Sequence, residues 1–174
     1  MNNIERRDRE LPYIADREVL EEYRACRRLL HRLNHTDLAD FAALKAIVKE
    51  LLGKSENAVI NPPFFCDYGF HIEVGKNFYA NYNCTIIDVA KVVIGDNCLI
   101  GMGATLLDNA VVPSGCIIAA NALVLSNAQL EPNSVYAGVP AKKVKEVTPQ
   151  QREEIIRRTA RDYMLYASWF KEEE

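Results

Sequence analysis

The sequence predicts a mainly β protein: a left-handed parallel β-helix of six-residue repeats, preceded by an N-terminal helical hairpin and followed by a C-terminal α-helix. Three observations predict it. An aliphatic or small residue recurs every six positions, at Val74, Ala80 and Ile86, then at Ile94, Ile100, Leu106, Val112, Ile118, Val124, Leu130 and Tyr136. Four residues after each stands a small side chain (Cys84, Ala90, Cys98, Ala104, Ala110, Cys116, Ala122, Ala128, Ser134), with Phe78 the exception. The step of six also holds unbroken from Ile94 to Tyr136, which neither strand alternation nor helical periodicity would produce. A chain turning through three short flat strands per coil, about 18 residues in all, stacks the aliphatic residues in a column and leaves its corners room for small groups only. The pattern predicts fewer than four such coils.

The 174 residues, 49% of them apolar, suit one structural unit, with the hairpin over 1–58, the β-helix over 59–146 and the terminal helix over 147–174. A net charge of −3, with Arg dispersed among Glu and Asp, argues against nucleic acid as a partner. No apolar run reaches signal-peptide or membrane-spanning length, so a cytoplasmic protein without a membrane partner is expected. Cys84, Cys98 and Cys116 fall at the small corners, where a buried thiol acts as a small apolar group. Cys26 lies on a helix face and Cys66 before a turn. Without a CxxC motif or a nearby His, neither a zinc site nor a disulfide is expected.

Residues 1–15 are polar apart from Leu11-Pro12-Tyr13-Ile14, which is expected to anchor the N-terminus. Asp16 caps a helix whose apolar face is Val19, Leu20, Tyr23, Cys26, Leu30 and Leu33, with Arg24, Arg27 and Arg28 facing outward or toward a ligand. Asn34-His35-Thr36 forms the turn. Thr36 then caps a second helix with Leu38, Phe41, Leu44, Val48 and Leu51 inward, and Gly53 stops it. Asn61-Pro62-Pro63-Phe64-Phe65 leads into the coils. At the far end, Thr148-Pro149-Gln150-Gln151 is a capping box opening a helix with Ile155, Ile156, Ala160, Tyr163, Ala167 and Phe170 on one face.

The blocks NPPFFCDYG, VGKNFYANYNCTIID and VVIGDN, with YRACRRLLHRLNHT before them, resemble the maltose and galactoside O-acetyltransferase family over residues 1–97. The resemblance implies a trimer that transfers acetyl from acetyl-CoA to a sugar hydroxyl in clefts between subunits. By it, Asp67 in DYG, Asn81 in YAN and Asp16 at the start of the hairpin face the acceptor sugar. Val89 stands where some members carry a second Asp.

After IGDN that family continues into a long loop bearing its catalytic histidine, a segment missing here. Residues 98–174 instead resemble γ-class carbonic-anhydrase-like proteins in IGMGATLLD, in the GVPAK corner and in the aromatic-rich terminal helix. The chain thus reads as an apparent chimera joined near Ile94–Gly101, where one six-residue step crosses the junction and keeps the column stacked.

A sugar hydroxyl attacking a thioester needs a general base, for which histidine suits neutral pH. The chain has three. His31 and His35 read as surface or cap residues of the hairpin. His71 lies two residues before Glu73, on the same side of a strand, and is the one candidate base. The γ-class zinc site takes three histidines divided between subunits, and the back half has none, so no metal is expected. Ala120, Asn121, Gly138 and Lys142 are positioned, by the resemblance, to line a groove with weak coenzyme A binding. The reading is a homotrimeric scaffold of the hexapeptide acyltransferase superfamily without efficient catalysis and with no required cofactor, holding at most a sugar or coenzyme A between subunits. The alternative is a working acetyl-CoA-dependent sugar O-acetyltransferase.

Overall fold

In the computed structural model residues 1–155 are described, and the solenoid predicted from the repeats forms the body of the protein. It has three parallel faces. Lys54–Glu56, Ile72–Lys76, Val92–Ile94 and Val111–Val112 make the first; Phe64–Cys66, Cys84–Ile86, Thr105–Leu106 and Leu123–Val124 make the third. The second runs Val59–Ile60, Tyr79–Ala80, Leu99–Ile100, Ile117–Ile118 and Ser134–Ala137, and Lys142–Glu146 folds back antiparallel on its last strand.

Five parallel strands on one face make a longer solenoid than the fewer than four coils expected. The reason lies at the start: Lys54–Glu56 already pairs with Ile72–Lys76, and Ile60 and Cys66 belong to the buried column. A two-residue enlargement hides them from a strict six-residue count. Glu73 pairs with Val93, a step of 20, whereas Val93 pairs with Val111, a step of 18. The extra residues fall at the corner leaving the third face, at Asp67–His71 and again at Ile87–Lys91.

The column itself is as predicted. Val74, Ala80, Ile86, Ile94, Ile100, Leu106, Val112, Ile118, Val124 and Tyr136 are buried, and Leu130 packs against them. The corner leaving the first face turns on Asn57, Asn77, Asn97, Gly115 and Asn133, all with positive φ. Asn tolerates this region because its short amide can bond locally, and here Asn77 Nδ2 donates to Asn97 Oδ1 at 2.9 Å. The next residue inward is buried and small in four of the five coils, at Ala58, Cys98, Cys116 and Ser134, while Phe78 fills the same position in the remaining one. The corner entering the third face has the same small buried position at Cys84, Ala104 and Ala122, and Ala122→Leu, at a site 1% exposed, is expected to cost about 1–3 kcal/mol by overpacking, read from urea unfolding. An unchanged midpoint would mean that the corner is not close-packed.

Three helices close the N-terminal end. α1, Asn3–Asp8, was not anticipated, although Asn2 and Glu5 form its capping box. α2, Arg17–His35, is capped by Asp16 as expected and buries Val19, Cys26, Leu30 and Leu33, while Leu20 is exposed. α3, Phe41–Leu51, corrects the expected boundary. α2 runs on through His35, Thr36 ends it by donating Oγ1–H to the Arg32 carbonyl, and Asp40 caps α3 by accepting from Ala43 N–H at 2.9 Å. The inward face of α3 is consequently Leu44, Ile47, Val48 and Leu51, and Leu38 and Phe41 are exposed. Gly53 follows because the chain there presses against the first coil, where a Cβ would collide with the Phe70 carbonyl. Asn34 fixes α2 on the third face, its amide exchanging two hydrogen bonds of 2.9 Å with the backbone of Phe64.

At the C-terminal end Thr148 and Gln151 exchange the two bonds of the predicted capping box, and residues 149–155 are helical. The rest of that predicted stripe, Ile156, Ala160, Tyr163, Ala167 and Phe170, lies outside the described residues.

Candidate functional site

The enlarged corner concentrates the polar chemistry. Its two long turns stack, and the lower one carries Asp88, which is fully buried. The Asp88 carboxylate accepts from the backbone N–H groups of Asp67, Tyr68 and Gly69 at 2.8, 2.9 and 2.6 Å. Burial pushes its pKa above the ordinary carboxylate value, and the three donors pull against that rise. One coil further on, Asp108 repeats the device on a smaller scale and accepts from Ala90 N–H at 2.9 Å.

Asp67, half-buried beside these two carboxylates, also has a raised pKa, through burial first and then the charges of Asp88 and Asp108, with Arg27 opposing. A raised folded-state pKa means that the fold favours the protonated acid. That contribution is complete below the unfolded value near 3.8 and is lost as pH rises through the folded value. Asp67→Asn is therefore expected to raise the melting temperature at pH 7, with the gain shrinking as pH falls through the folded value and gone below about 3.8. A lower melting temperature at pH 7 would show the ionised carboxylate to be stabilising.

Helices α1 and α2 clamp this corner. Arg7, 2% exposed, stacks its guanidinium 4.4 Å from the centre of the Tyr68 ring and donates to Glu22 at 2.6 Å and Asp8 at 2.8 Å. Tyr23 meets Tyr68 edge-on at 6.0 Å, and Arg27 donates to the Tyr23 hydroxyl. A cavity of about 480 Å³ opens between the arm Leu11–Tyr13 and the corners, lined also by Arg7, Glu10, Val89, Ala90, Asp108, Asn109 and Asn127.

His71 is part of the clamp. Its Nδ1 lies 2.8 Å from the Asp88 carbonyl, so Nδ1 carries the hydrogen, and its Nε2 faces Asp8 of α1 at 3.3 Å. The carboxylate expected beside it, Glu73, instead accepts from Lys91 at 2.7 Å. His31 and His35 sit exposed on α2, their rings 4.1 Å apart.

Of the other residues singled out from the sequence, Asp16 spends its carboxylate on the α2 cap and on Asn3 Nδ2 at 2.6 Å, which hold its pKa below the usual value, the Asn3 bond foremost. Asn81 is at a different corner from Asp67, the one entering the third face, and its Oδ1 accepts from Tyr82 N–H. Ala120, Asn121 and Gly138 occupy that second corner on later coils. Lys142 joins them by pairing with Ala137, next to Gly138. Gly103 is required there, since a Cβ would run into the Asn121 side chain. The structure therefore places Asn81 with the coenzyme candidates and leaves Asp67 with Asp88, Asp108 and His71. Arg7, Tyr13, Asp88 and Asp108 were not anticipated. The signal for Asp88 was present in the step of eight from Ile86 to Ile94, which marks an enlarged corner with an acid inside it. Among the described residues no group of three or more His, Cys, Asp or Glu is placed to hold a metal ion, and no helix is long and apolar enough to cross a membrane.

Comparison with known proteins matches residues 91–126 to the bacterial transferase hexapeptide (six repeats) family and residues 9–56 to the maltose acetyltransferase hexapeptide capping motif. The galactoside O-acetyltransferase of Escherichia coli K12 is 40% identical over 79 residues, which are 45% of this chain and 39% of that protein. The chain spans about half the length, or less, of the curated relatives it matches first. A galactoside acetyltransferase solved with coenzyme A superposes with a TM-score of 0.65 at 25% identity, covering 87% of this chain and 94% of that one. A maltose O-acetyltransferase from Clostridium difficile 630 shares the fold, with a TM-score of 0.72 at 24% identity, 85% of this chain and 98% of that one. Solenoid, capping hairpin and repeats together make this chain a hexapeptide-repeat protein similar to the maltose and galactoside O-acetyltransferases.

Proposed function

We propose that this chain is a homotrimeric acyltransferase-type scaffold that keeps a coenzyme A groove and an acceptor-side cavity but transfers acetyl groups slowly. The observation that carries this reading is the engagement of His71. Its Nδ1–H is given to the Asp88 carbonyl and its Nε2 is turned to Asp8, so neither nitrogen is aimed into the cavity. His31 and His35, on α2, do not reach the corner.

The coenzyme side is supported by Ala120, Asn121, Gly138 and Lys142 sharing one corner, and by the coenzyme A in the related galactoside acetyltransferase. Reading the back half as carbonic-anhydrase-like, and the whole as a hybrid, is supported by the change of coil step from 20 to 18 residues at Val93, just before the proposed junction. A second reading, an active sugar O-acetyltransferase, is favoured by the Nδ1 bond itself. It fixes the tautomer that leaves Nε2 as a base once α1 withdraws Asp8. The test is calorimetric titration of the intact chain with coenzyme A, then CoA release from acetyl-CoA with maltose, galactosides or glucose. A sedimenting trimer that binds coenzyme A weakly and releases it near the uncatalysed rate is expected; rapid release would overturn the slow-transfer reading.

A further inference from the structure

Cys26, in the middle of α2, and Cys66, at the end of strand Phe64–Cys66, lie 40 residues apart in sequence, yet their sulfurs are 3.6 Å apart in the seam between hairpin and solenoid. Both are free thiols, 2% and 7% exposed. The other three cysteines are engaged differently, each directing its S–H to a backbone carbonyl: Cys84 to Gly101, Cys98 to Pro113 and Cys116 to Glu131, at 3.2, 3.2 and 3.1 Å. Among the described residues no other pair of sulfurs makes such a contact.

The scaffold on both sides of the pair is fixed independently of the thiols. Cys66 pairs with Ile86 in the third face, and the two bonds between Asn34 and Phe64 hold α2 against the same strand. The sulfurs therefore remain opposed while the hairpin is docked. A disulfide needs them at about 2.05 Å, so closure asks for an approach of about 1.5 Å, within reach of side-chain rotation and a small shift of α2.

We propose that Cys26 and Cys66 form a covalent modification site, an intramolecular disulfide that staples the helical hairpin to the solenoid when the chain meets a small disulfide oxidant such as oxidised glutathione. One thiol loses its proton and attacks a glutathione sulfur, expelling one glutathione thiolate and forming a mixed disulfide. The second thiolate attacks the protein sulfur of that bond and expels the other glutathione. Two cysteine thiols are oxidised, two electrons reduce the glutathione disulfide, and two protons leave with the products.

Burial sets the kinetics. Hydrogen bonding to Cys26, and then burial, push the Cys66 pKa well above its usual value, so the thiolate is scarce and the first attack is slow while the hairpin is docked. Once formed, the bond is shielded from reductants by the same packing. Because it closes a long loop, it restricts the unfolded chain.

The test uses the intact chain incubated with oxidised glutathione, with and without a low urea concentration that loosens the hairpin. Expected are a loss of two hydrogens by mass spectrometry, one cross-linked peptide joining positions 26 and 66, and a melting temperature about 5–10 °C higher that dithiothreitol reverses. Cys26→Ala and Cys66→Ala should each abolish the cross-link, and Cys98→Ala should leave it intact. A stable glutathione adduct without the cross-link overturns the proposal, as do a bridge to Cys84, Cys98 or Cys116 and thiols left unmodified even in urea. If a single alanine variant fails to fold, the peptide map of the unsubstituted chain still decides.

Discussion

Asp88→Ala is expected to lower stability by about 3–5 kcal/mol, although the residue is small and no ligand has to touch it. The carboxylate is fully buried and is the partner of three consecutive backbone N–H groups, those of Asp67, Tyr68 and Gly69. Removing it strands donors that cost roughly 1–3 kcal/mol each when nothing replaces the bond, and the total falls short of their sum because the turn relaxes or admits water. Asp88→Asn gives a graded comparison. One amide oxygen still serves Asp67 and Tyr68, but the other position now presents an NH2 to the Gly69 N–H, so about half of the loss is expected. Urea unfolding monitored by circular dichroism reads both. If the two variants lay within 0.5 kcal/mol (about the scatter of neutral surface changes) of the unsubstituted chain, the enlarged corner would not be held by this carboxylate.

That corner also separates what the sequence reveals from what it hides. The column from Ile94 to Tyr136 is legible because each coil places the same residue against the same neighbours, so one packing constraint is printed once per strand. At the front the constraint is still present in Ile60, Cys66 and Val74, but the two extra residues break the count and Pro62-Pro63 hides the strand that follows. Helix starts were legible at Asp16 and Thr148 but not at the second helix. Asp16 caps α2 as expected, whereas Thr36, read as the second cap, closes α2 instead, and α3 starts only at Asp40, four residues on.

The candidate site was less legible because its residues meet only through tertiary packing. Nothing in the spacing of Arg7, Tyr68 and Asp8 says that α1 folds across the DYG turn. A His and a Glu two apart do face one side of a strand, but each took a better partner from another segment: Asp8 for His71 and Lys91 for Glu73. Resemblance grouped Asp67 with Asn81, and the solenoid puts them at different corners.

Acetyl transfer to a sugar is expected to run about 10²–10⁴-fold below what a positioned general base would support, the usual worth of such a group. The hydroxyl must lose its proton as it attacks the thioester, and in His71, the one candidate base, the nitrogen that would have to accept it is turned to Asp8 at 3.3 Å. Orientation of a bound sugar against bound acetyl-CoA lowers the barrier without proton transfer, so a trace rate above solution remains. Two variants then divide the possibilities by CoA release at pH 7. In a chain without a working base, His71→Ala leaves the trace rate unchanged within a factor of two or so, and Asp8→Ala does the same. In a chain where Nε2 is the base and Asp8 blocks it, Asp8→Ala raises turnover several-fold and His71→Ala abolishes it, with kcat falling and the KM for acetyl-CoA unmoved. The second pattern would establish a histidine site rebuilt on the first coil and would end the slow-transfer reading.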